Sequence, residues 1–258
     1  MDEKLDRLDD GRTGPRSLTR RGLLGSAALA GAGAALLTGI GGRTAMAEST
    51  TESLAPAYCG EHPIEPLPFD PKKLRGLSEK LIVSHHANNY SGAVKRLNQI
   101  EKQLGALPRD TAPFQFGSLK REELVAANSM RLHELYFANL GGDGRAEGRA
   151  ARLLKDAYGS LAAWEHDFRQ TALSLGGGSG WVVVVWDRRR EALHNHWAWD
   201  HAHQALGGEP VLVFDVYEHA YHMDYGAATN AYVDAFLANV RWDEVERRIP
   251  RTAAGKQA

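Results

Sequence analysis

Apolar residues recur at helical spacing over a first long segment, at about 78–104. Ser78 has the side chain of an N-cap, and Glu79 places a carboxylate in the first turn, where the helix dipole favours it. The positions that keep this rhythm lie on one helix face. They are Leu77, Leu81, His85, Val94, Leu97 and Leu104. The pattern predicts an amphipathic helix with a histidine on its apolar face.

A second segment has the same period and ends at Gly141-Gly142, a common helix terminator. Ser118 is the predicted N-cap, without a capping box because Arg121 stands where that motif needs Glu or Gln. Its apolar face consists of Ala126, Met130, His133, Phe137 and Leu140. Two long helices joined by a turn-rich link predict an antiparallel helical hairpin.

The texture changes after residue 142. Short, strongly apolar runs bounded by Gly-rich or polar turns are typical of buried strands. We predict helices at 148–158, 160–175 and 229–249, and strands at 181–186, 192–197 and 211–214. The predicted fold class is α+β, with an N-terminal α-helical hairpin followed by a C-terminal α/β part that contains a three-stranded antiparallel sheet.

The first fifty residues have the pattern of an export signal. Arg20-Arg21 precede an apolar, Ala/Gly-rich stretch at about 23–40, and Ala45-Met46-Ala47 then offers a small-x-small cleavage site. We predict a twin-arginine export signal at 1–47 and a periplasmic or extracellular location. The alternative is an uncleaved membrane anchor, because the stretch is about as long as a bilayer span.

The rest of the chain divides into an arm, two structured parts and a tail. Residues 48–71 lack periodicity and predict an extended arm. We place a helical hairpin domain at 72–142, an α+β domain at 143–250 and a tail at 251–258. The arm contains Cys59, the chain's one cysteine. Without a second thiol it is a poor basis for a metal site, and we expect a small residue in a loosely ordered segment.

Charge and composition exclude some classes of partner. The chain has 258 residues, is 43% hydrophobic and carries a net charge of −1. That size and composition suit a globular protein with a proper core. A near-neutral charge gives no reason to expect nucleic acid or, once the signal is removed, a membrane as partner.

Four residues offer a metal-binding chemistry. Asp215 and His219 lie four apart where the third predicted strand ends, and His85 and His133 lie on the apolar faces of the two long helices. Buried imidazoles need partners for their nitrogens, and three imidazoles with one carboxylate suit iron, manganese or zinc. The competing interpretation is that each histidine is a hydrogen-bonded core residue, since a spacing of four arises by chance among 11 histidines.

The sequence around these four residues resembles the iron/manganese superoxide dismutase family. The run Asp215-Val216-Tyr217-Glu218-His219-Ala220-Tyr221 is similar to that family's D-x-W-E-H-A-Y signature. Supporting likenesses follow in the family's order along the chain. They are Leu67-Pro68-Phe69-Asp70, Ser84-His85-His86, His133 to Leu140, Gly178-Ser179-Gly180-Trp181 and the segment around Trp242. The alignment makes His85, not His86, the ligand.

The resemblance implies a function and a ligand set. It implies a superoxide dismutase with one manganese or iron ion per subunit, held by His85, His133, Asp215 and His219, and with superoxide as substrate. It also implies a homodimer, in which Glu218 reaches the ligand histidine of the partner subunit. An oxygenase with two histidines and one carboxylate is a weaker alternative, because three histidines are present here.

Several positions around the implied metal depart from the family. Ala93 stands where the family has its gateway Tyr and Asn89 where it has a His, while Tyr90 is one turn from Ala93 and close enough to lean into the site. Tyr217 replaces a Trp and His222 a Tyr. We expect these residues and Trp181 to surround the metal ligands.

The Gln that contacts the family's metal-bound solvent is also missing. On this alignment its two positions are Gly177 and Ser129, and neither side chain reproduces its reach. The alternative function is therefore an exported metal-binding protein on the same scaffold with little dismutase activity.

A histidine-rich segment follows the second strand. Four histidines fall within His194 to His203. They suggest either a second metal site or a polar strand edge near the mouth of the site, and we favour the polar edge. His194 and His196 alternate along a strand and should share a face.

Overall fold

The chain is described here by a computed structural model that covers residues 55–251. The predicted signal at 1–47, the start of the arm at 48–54 and the tail at 252–258 lie outside the described residues. Within 55–251, no helix has the length and apolar character needed to cross a membrane.

The first helical segment begins as predicted and is interrupted at the candidate ligand. α1 spans Glu79–Ser84, and the Ser78 hydroxyl accepts a hydrogen bond from the Leu81 N–H at 3.1 Å, which confirms the N-cap. A π-helical stretch then covers His85–Tyr90, and α2 continues over Ser91–Gly105. Such π stretches add a residue to a turn and often occur at functional sites.

α3 spans Pro113–Ala138, so the predicted start at Ser118 was wrong. Pro113 occupies the first turn, where its missing N–H costs nothing. Ser118 lies inside the helix, and its hydroxyl donates to the Phe114 carbonyl one turn earlier, at 2.8 Å. The predicted apolar face is buried along its whole length and packs against α2.

Within 55–251 the sheet has three antiparallel strands in the order β2-β1-β3. The strands are β1 (Trp181–Asp187), β2 (Ala192–Ala198) and β3 (Gly208–Asp215). The first six residues of central β1 are all buried, so both faces of this strand are covered, and α5 packs against it. This burial explains the unbroken apolar run of that strand. The antiparallel three-stranded prediction is confirmed.

Further helices surround the sheet. They are α4 (Gly148–Tyr158), α5 (Leu161–Leu173), α6 (His222–Tyr225), α7 (Thr229–Ala238) and α8 (Trp242–Arg248), with 3-10 turns at Pro56–Tyr58, Pro71–Lys73 and Glu218–Ala220. The helical tail predicted at 229–249 consists of two helices, α7 and α8. The helical backbone is interrupted between α7 and α8. There the Asn239 amide donates to the Arg75 carbonyl and the Arg241 N–H donates to the Asn139 carbonyl, both at 2.7 Å.

The hairpin and the sheet pack directly on each other. The buried Asn139 amide, just after α3, donates to the Val213 carbonyl in β3 at 2.8 Å. This bond fixes α3, which carries His133, against the strand that ends at Asp215. The arm is also attached, since His62 and Asn98 of α2 exchange two hydrogen bonds. The expectation of a loosely ordered segment around Cys59 is thereby corrected.

Candidate metal centre

Three chain segments meet at one edge of the sheet. Trp181, the first residue of β1, pairs with Ala198 at the end of β2 and with Asp215 at the end of β3. The Val216 N–H donates to the Gly180 carbonyl at 2.9 Å, which holds the exit of β3 against the entry of β1. Asp215 is therefore fixed at a strand end, with no exposed surface.

The four predicted ligands are brought together at this edge. Asp215 Oδ2 lies 3.1 Å from His85 Nε2, 3.3 Å from His219 Nε2 and 3.6 Å from His133 Nε2. His85 comes from the π-helical stretch, His133 from α3 and His219 from the 3-10 turn after β3. One ligand atom of each residue lies within 4.8 Å of the others, so one ion can contact all four.

The donor atoms fit a metal ion. His85 is 1% exposed, and neither of its ring nitrogens has a hydrogen-bond partner. His133 is as deeply buried, and its Nε2 also has no partner. Buried polar atoms of this kind are normally hydrogen-bonded. Three imidazoles and one carboxylate around one point are a donor set for iron, manganese or zinc, and a bound cation would satisfy the nitrogens that face it.

The charge states also suit a cation. Burial lowers the pKa of His133 to about 3 and that of His85 below its usual value, so both rings are neutral near pH 7. Burial works against ionisation of Asp215, but the facing His219 and His85 hold the pKa of its carboxyl well below its usual range. The cluster thus presents lone pairs and one negative charge.

Backbone hydrogen bonds on the side away from the cluster fix the orientation of His133 and Asp215. His133 Nδ1–H donates to the Ser129 carbonyl, one turn back in α3, at 2.7 Å, which leaves the Nε2 lone pair directed at the cluster. Asp215 Oδ1 accepts from the Tyr217 N–H at 2.9 Å, so Oδ2 is the oxygen left for the histidines. Ser129 therefore contributes through its backbone, a role that its side chain does not reveal in the sequence.

The structure places several of the predicted surrounding residues beside the cluster. The Trp181 ring packs edge-on against His133 at 5.1 Å, and the Tyr217 ring stacks on His219 at 5.3 Å. The ring of Tyr90 is buried 6.5 Å from His133. Its hydroxyl lies outside the cluster, where it accepts from the Glu65 N–H at 2.9 Å.

The other three predicted neighbours lie further out. Asn89 is partly buried and His222 is exposed, and within 55–251 neither belongs to the metal-ligating group. Glu218 is exposed beside His219, which keeps 26% of its side chain accessible. Glu218 packs over Gly178, where a Cβ would lie 2.8 Å from the glutamate side chain. Gly178 also adopts φ +78°, a left-handed conformation that favours glycine.

His201 is a neighbour that the sequence analysis missed. Trp181 Nε1–H donates to His201 Nδ1 at 3.0 Å, and the His201 ring stacks on Tyr217 at 4.8 Å and lies 6.3 Å from His133. Burial lowers the pKa of His201. Because Nδ1 accepts the Trp181 N–H, the neutral ring carries its hydrogen on Nε2. Gly177, by contrast, is exposed, with nothing within 4 Å of the place its Cβ would take.

The sequence feature that could have identified His201 is the location of the histidine-rich segment directly after β2. Because Ala198 pairs with Trp181, residues just beyond β2 return over the entry of β1. Within 55–251 the segment forms no second cluster of three metal-ligating residues, which agrees with the polar-edge interpretation. His194 is exposed, His196 half-buried and His203 exposed and paired with Asp200.

Comparison with known proteins gives a consistent result. Residues 146–248 match the family profile described as "Iron/manganese superoxide dismutases, C-terminal domain". "Superoxide dismutase [Fe]" of Cupriavidus metallidurans is 51% identical over 187 residues, which cover 72% of this chain and 95% of that protein. "Superoxide dismutase [Mn] 1" of Haloferax volcanii is 33% identical over 195 residues, covering 73% and 94%. "Superoxide dismutase [Fe]" of Aquifex pyrophilus is 30% identical over 215 residues, covering 77% and 97%.

Proposed function

The chain belongs to the iron/manganese superoxide dismutase family and is a superoxide dismutase, and we propose that its iron or manganese ion is held by His85, His133, Asp215 and His219. The observation that carries this ligand set is the convergence of three imidazole Nε2 atoms on Asp215 Oδ2 at 3.1–3.6 Å. Two of those nitrogens are buried without any other partner.

Each side chain has a defined task at this centre. A bound iron or manganese ion supplies the one-electron chemistry that takes superoxide to dioxygen and to hydrogen peroxide. Asp215 neutralises part of the cation's charge, and Ser129 and Tyr217 hold His133 and Asp215 in orientation. His201 Nε2–H is the hydrogen-bond donor near the centre in place of the missing Gln, with its ring fixed by Trp181.

Iron is the metal that the comparisons favour. The relative with 51% identity is named as an iron enzyme, whereas a relative named as a manganese enzyme shares 33%. The test is to purify the mature protein, measure its metal content, and assay superoxide consumption after loading apoprotein with iron or with manganese. An iron-loaded protein that consumes superoxide faster than the same concentration of aqueous iron supports the proposal. Full activity with manganese alone contradicts the choice of iron.

The ligand set is tested separately from the activity. His133→Ala should retain no metal, while His86→Ala, one residue away from ligand His85, should retain one ion per chain. A His133→Ala variant that binds one ion with unchanged affinity would refute the four-residue site.

We also propose that the mature protein is exported by the twin-arginine route. The supporting features are Arg20-Arg21, the apolar stretch that follows and Ala45-Met46-Ala47. Fusion of residues 1–50 to a reporter that is active only when exported should give a signal, and replacement of both arginines by lysine should abolish it. Export that survives this replacement, or a mature N-terminus still carrying the apolar stretch, contradicts the proposal.

A homodimer is the assembly that we propose for the active protein. Glu218 and His219 lie next to each other on an accessible part of the surface, so two copies can place each Glu218 against the partner's His219. Sedimentation of the metal-loaded protein should give a dimer. Glu218→Ala should weaken the dimer and lower metal retention, whereas Glu209→Ala, a carboxylate on β3 away from this surface, should do neither. A monomer with full activity overturns the assignment.

A further inference from the structure

A second group of metal-ligating side chains lies between the arm and α2. Cys59, His62 and Glu101 each offer a ligand atom, and these atoms all lie within 4.8 Å of one another. His62 Nε2 is 2.9 Å from Glu101 Oε1, and Cys59 Sγ is 4.0 Å from Glu101 Oε2. Cys59 is a poor basis for a metal site by the count of thiols alone, but the structure places an imidazole and a carboxylate beside it.

The backbone around this group is fixed before any ligand arrives. His62 N–H donates to the Asn98 side chain at 2.8 Å, and the Asn98 amide donates back to the His62 carbonyl at 3.0 Å. Gly60 adopts φ +56° and approaches α2 so closely that a Cβ would collide with the Asn98 carbonyl. Two side chains from the arm are therefore held over one from the helix. This pre-ordering lowers the entropic cost of closing a site.

Glu101 and His62 differ in how far their side chains are exposed to solvent. Glu101 keeps only 11% of its side chain accessible, so its carboxylate is shielded from bulk water. His62 keeps 32%, which leaves an open side for an ion and a water molecule to enter. Gly60 N–H donates to Glu101 Oε2 at 2.9 Å and so anchors the carboxylate.

The atoms match the chemistry of a borderline-soft divalent ion. Thiolate, imidazole and carboxylate together are typical ligands of zinc. Tetrahedral zinc needs about 3.4 Å between a nitrogen and an oxygen ligand and about 3.5 Å between sulfur and oxygen, from bond lengths of roughly 2.0–2.3 Å. The present separations, 2.9 Å from His62 Nε2 to Glu101 Oε1 and 4.0 Å from Cys59 Sγ to Glu101 Oε2, differ from these by about half an ångström each, and a small rotation of the carboxylate is needed to present one oxygen to both. Side-chain rotation accommodates such a change.

We propose that Cys59, His62 and Glu101 form a second metal site that binds a divalent cation of the zinc type and ties the arm to α2. Water occupies the fourth position of the ion. On binding, the Cys59 thiol releases its proton to solvent, and the His62 hydrogen moves from Nε2 to Nδ1, so each ion displaces one proton near neutral pH. The arm continues to Glu65, whose N–H bonds the Tyr90 hydroxyl beside the first centre. Binding therefore stabilises the segment that borders that centre.

The experiment uses the iron-loaded enzyme, so that the first centre is already filled. Calorimetric titration with Zn²⁺ should give one ion per chain in addition to the iron, with one proton released, as measured in buffers of different ionisation enthalpy. Iron content measured after the titration should be unchanged. Co²⁺ in place of Zn²⁺ should give the thiolate-to-cobalt charge-transfer absorption, which identifies Cys59 as a ligand.

Variants identify the residues involved. Cys59→Ser should abolish the charge-transfer band, and Cys59→Ser and Glu101→Gln should each weaken Zn²⁺ binding at least about 100-fold while dismutase activity persists. Glu101→Gln keeps an oxygen that can accept the Gly60 N–H, so folding is expected. His166→Ala removes an exposed histidine on α5 and should change nothing. Zinc that enters only as iron leaves, zinc binding that is unchanged in both variants, or no binding beyond the iron overturns the proposal.

Discussion

Replacement of Asp215 by asparagine is the sharpest test of the proposed metal centre. The change is nearly isosteric and alters one atom at the point where the three histidines converge. Asn can keep its amide oxygen on the Tyr217 N–H, the bond that Oδ1 now accepts at 2.9 Å. Its NH₂ group then replaces Oδ2, the oxygen that lies 3.1–3.6 Å from the three imidazole nitrogens. The fold should persist while the one negative charge among the four ligands is lost.

The expected loss of metal affinity is large. With an effective dielectric constant of about 20, a unit charge about 2 Å from a divalent ion contributes roughly 16 kcal/mol of attraction. Burial of the carboxylate offsets several kcal/mol of that attraction in the native protein. We expect a net weakening of at least about 4 kcal/mol, which is a factor of about 1,000 in Kd.

The assay is competition for Fe²⁺ between the protein and a chelator of known affinity, with circular dichroism of the metal-free forms as the check on folding. Asp200→Asn is the matched control, because Asp200 is a half-exposed carboxylate paired with His203 on the loop beyond β2. The control should keep the native affinity. An Asp215→Asn protein that folds and binds one iron per chain within tenfold of the native Kd refutes the ligand assignment.

Three further predictions follow from individual contacts. His201→Ala should retain the metal but lower kcat about 10–100-fold, whereas His203→Ala should leave kcat unchanged. Steady-state superoxide consumption measures both variants. A native kcat in His201→Ala contradicts the role assigned to His201. The metal-free protein should lose about 2 kcal/mol of unfolding free energy between pH 7 and pH 5. In the folded protein His133, with a pKa of about 3, stays neutral over this range, whereas in the unfolded chain its ring takes up a proton near pH 6.5. Equal urea midpoints at the two pH values contradict this prediction. Ser78→Ala should cost about 1 kcal/mol and Ser118→Ala less than about 0.5 kcal/mol, and thermal unfolding that ranks them in the opposite order contradicts the assigned helix starts.

Periodicity predicted the hairpin and the sheet because each element's burial is written into its own sequence. The face with Met130 and His133 is buried as its spacing requires, and β1 is buried on both sides as its unbroken apolar run requires. Helix boundaries were less predictable. Ser118 resembles a cap, but Pro113 provides the better start signal five residues earlier. The break at Asn239 depends on its bond to Arg75, a contact 164 residues away that no local pattern encodes.

The same distinction applies to the metal centre. The four proposed ligands could be predicted because the family's motifs keep their order along the chain. His201 was missed because it lies in an irregular loop, and its place beside Trp181 depends on the register between β1 and β2. The neighbours of Cys59 were not predictable for a related reason. Its neighbour Glu101 lies 42 residues further along the chain, in α2. The contact between them depends on how the arm folds back over that helix.

The centre occupies the places where regular structure stops, and this has an energetic consequence. His85 opens a π-helical stretch, Asp215 ends a strand and His219 lies in a short 3-10 turn. His133 Nε2 is a buried polar atom without a hydrogen-bond partner, which costs about 1–3 kcal/mol. An ion that coordinates it removes that cost, so metal binding and folding stability are coupled.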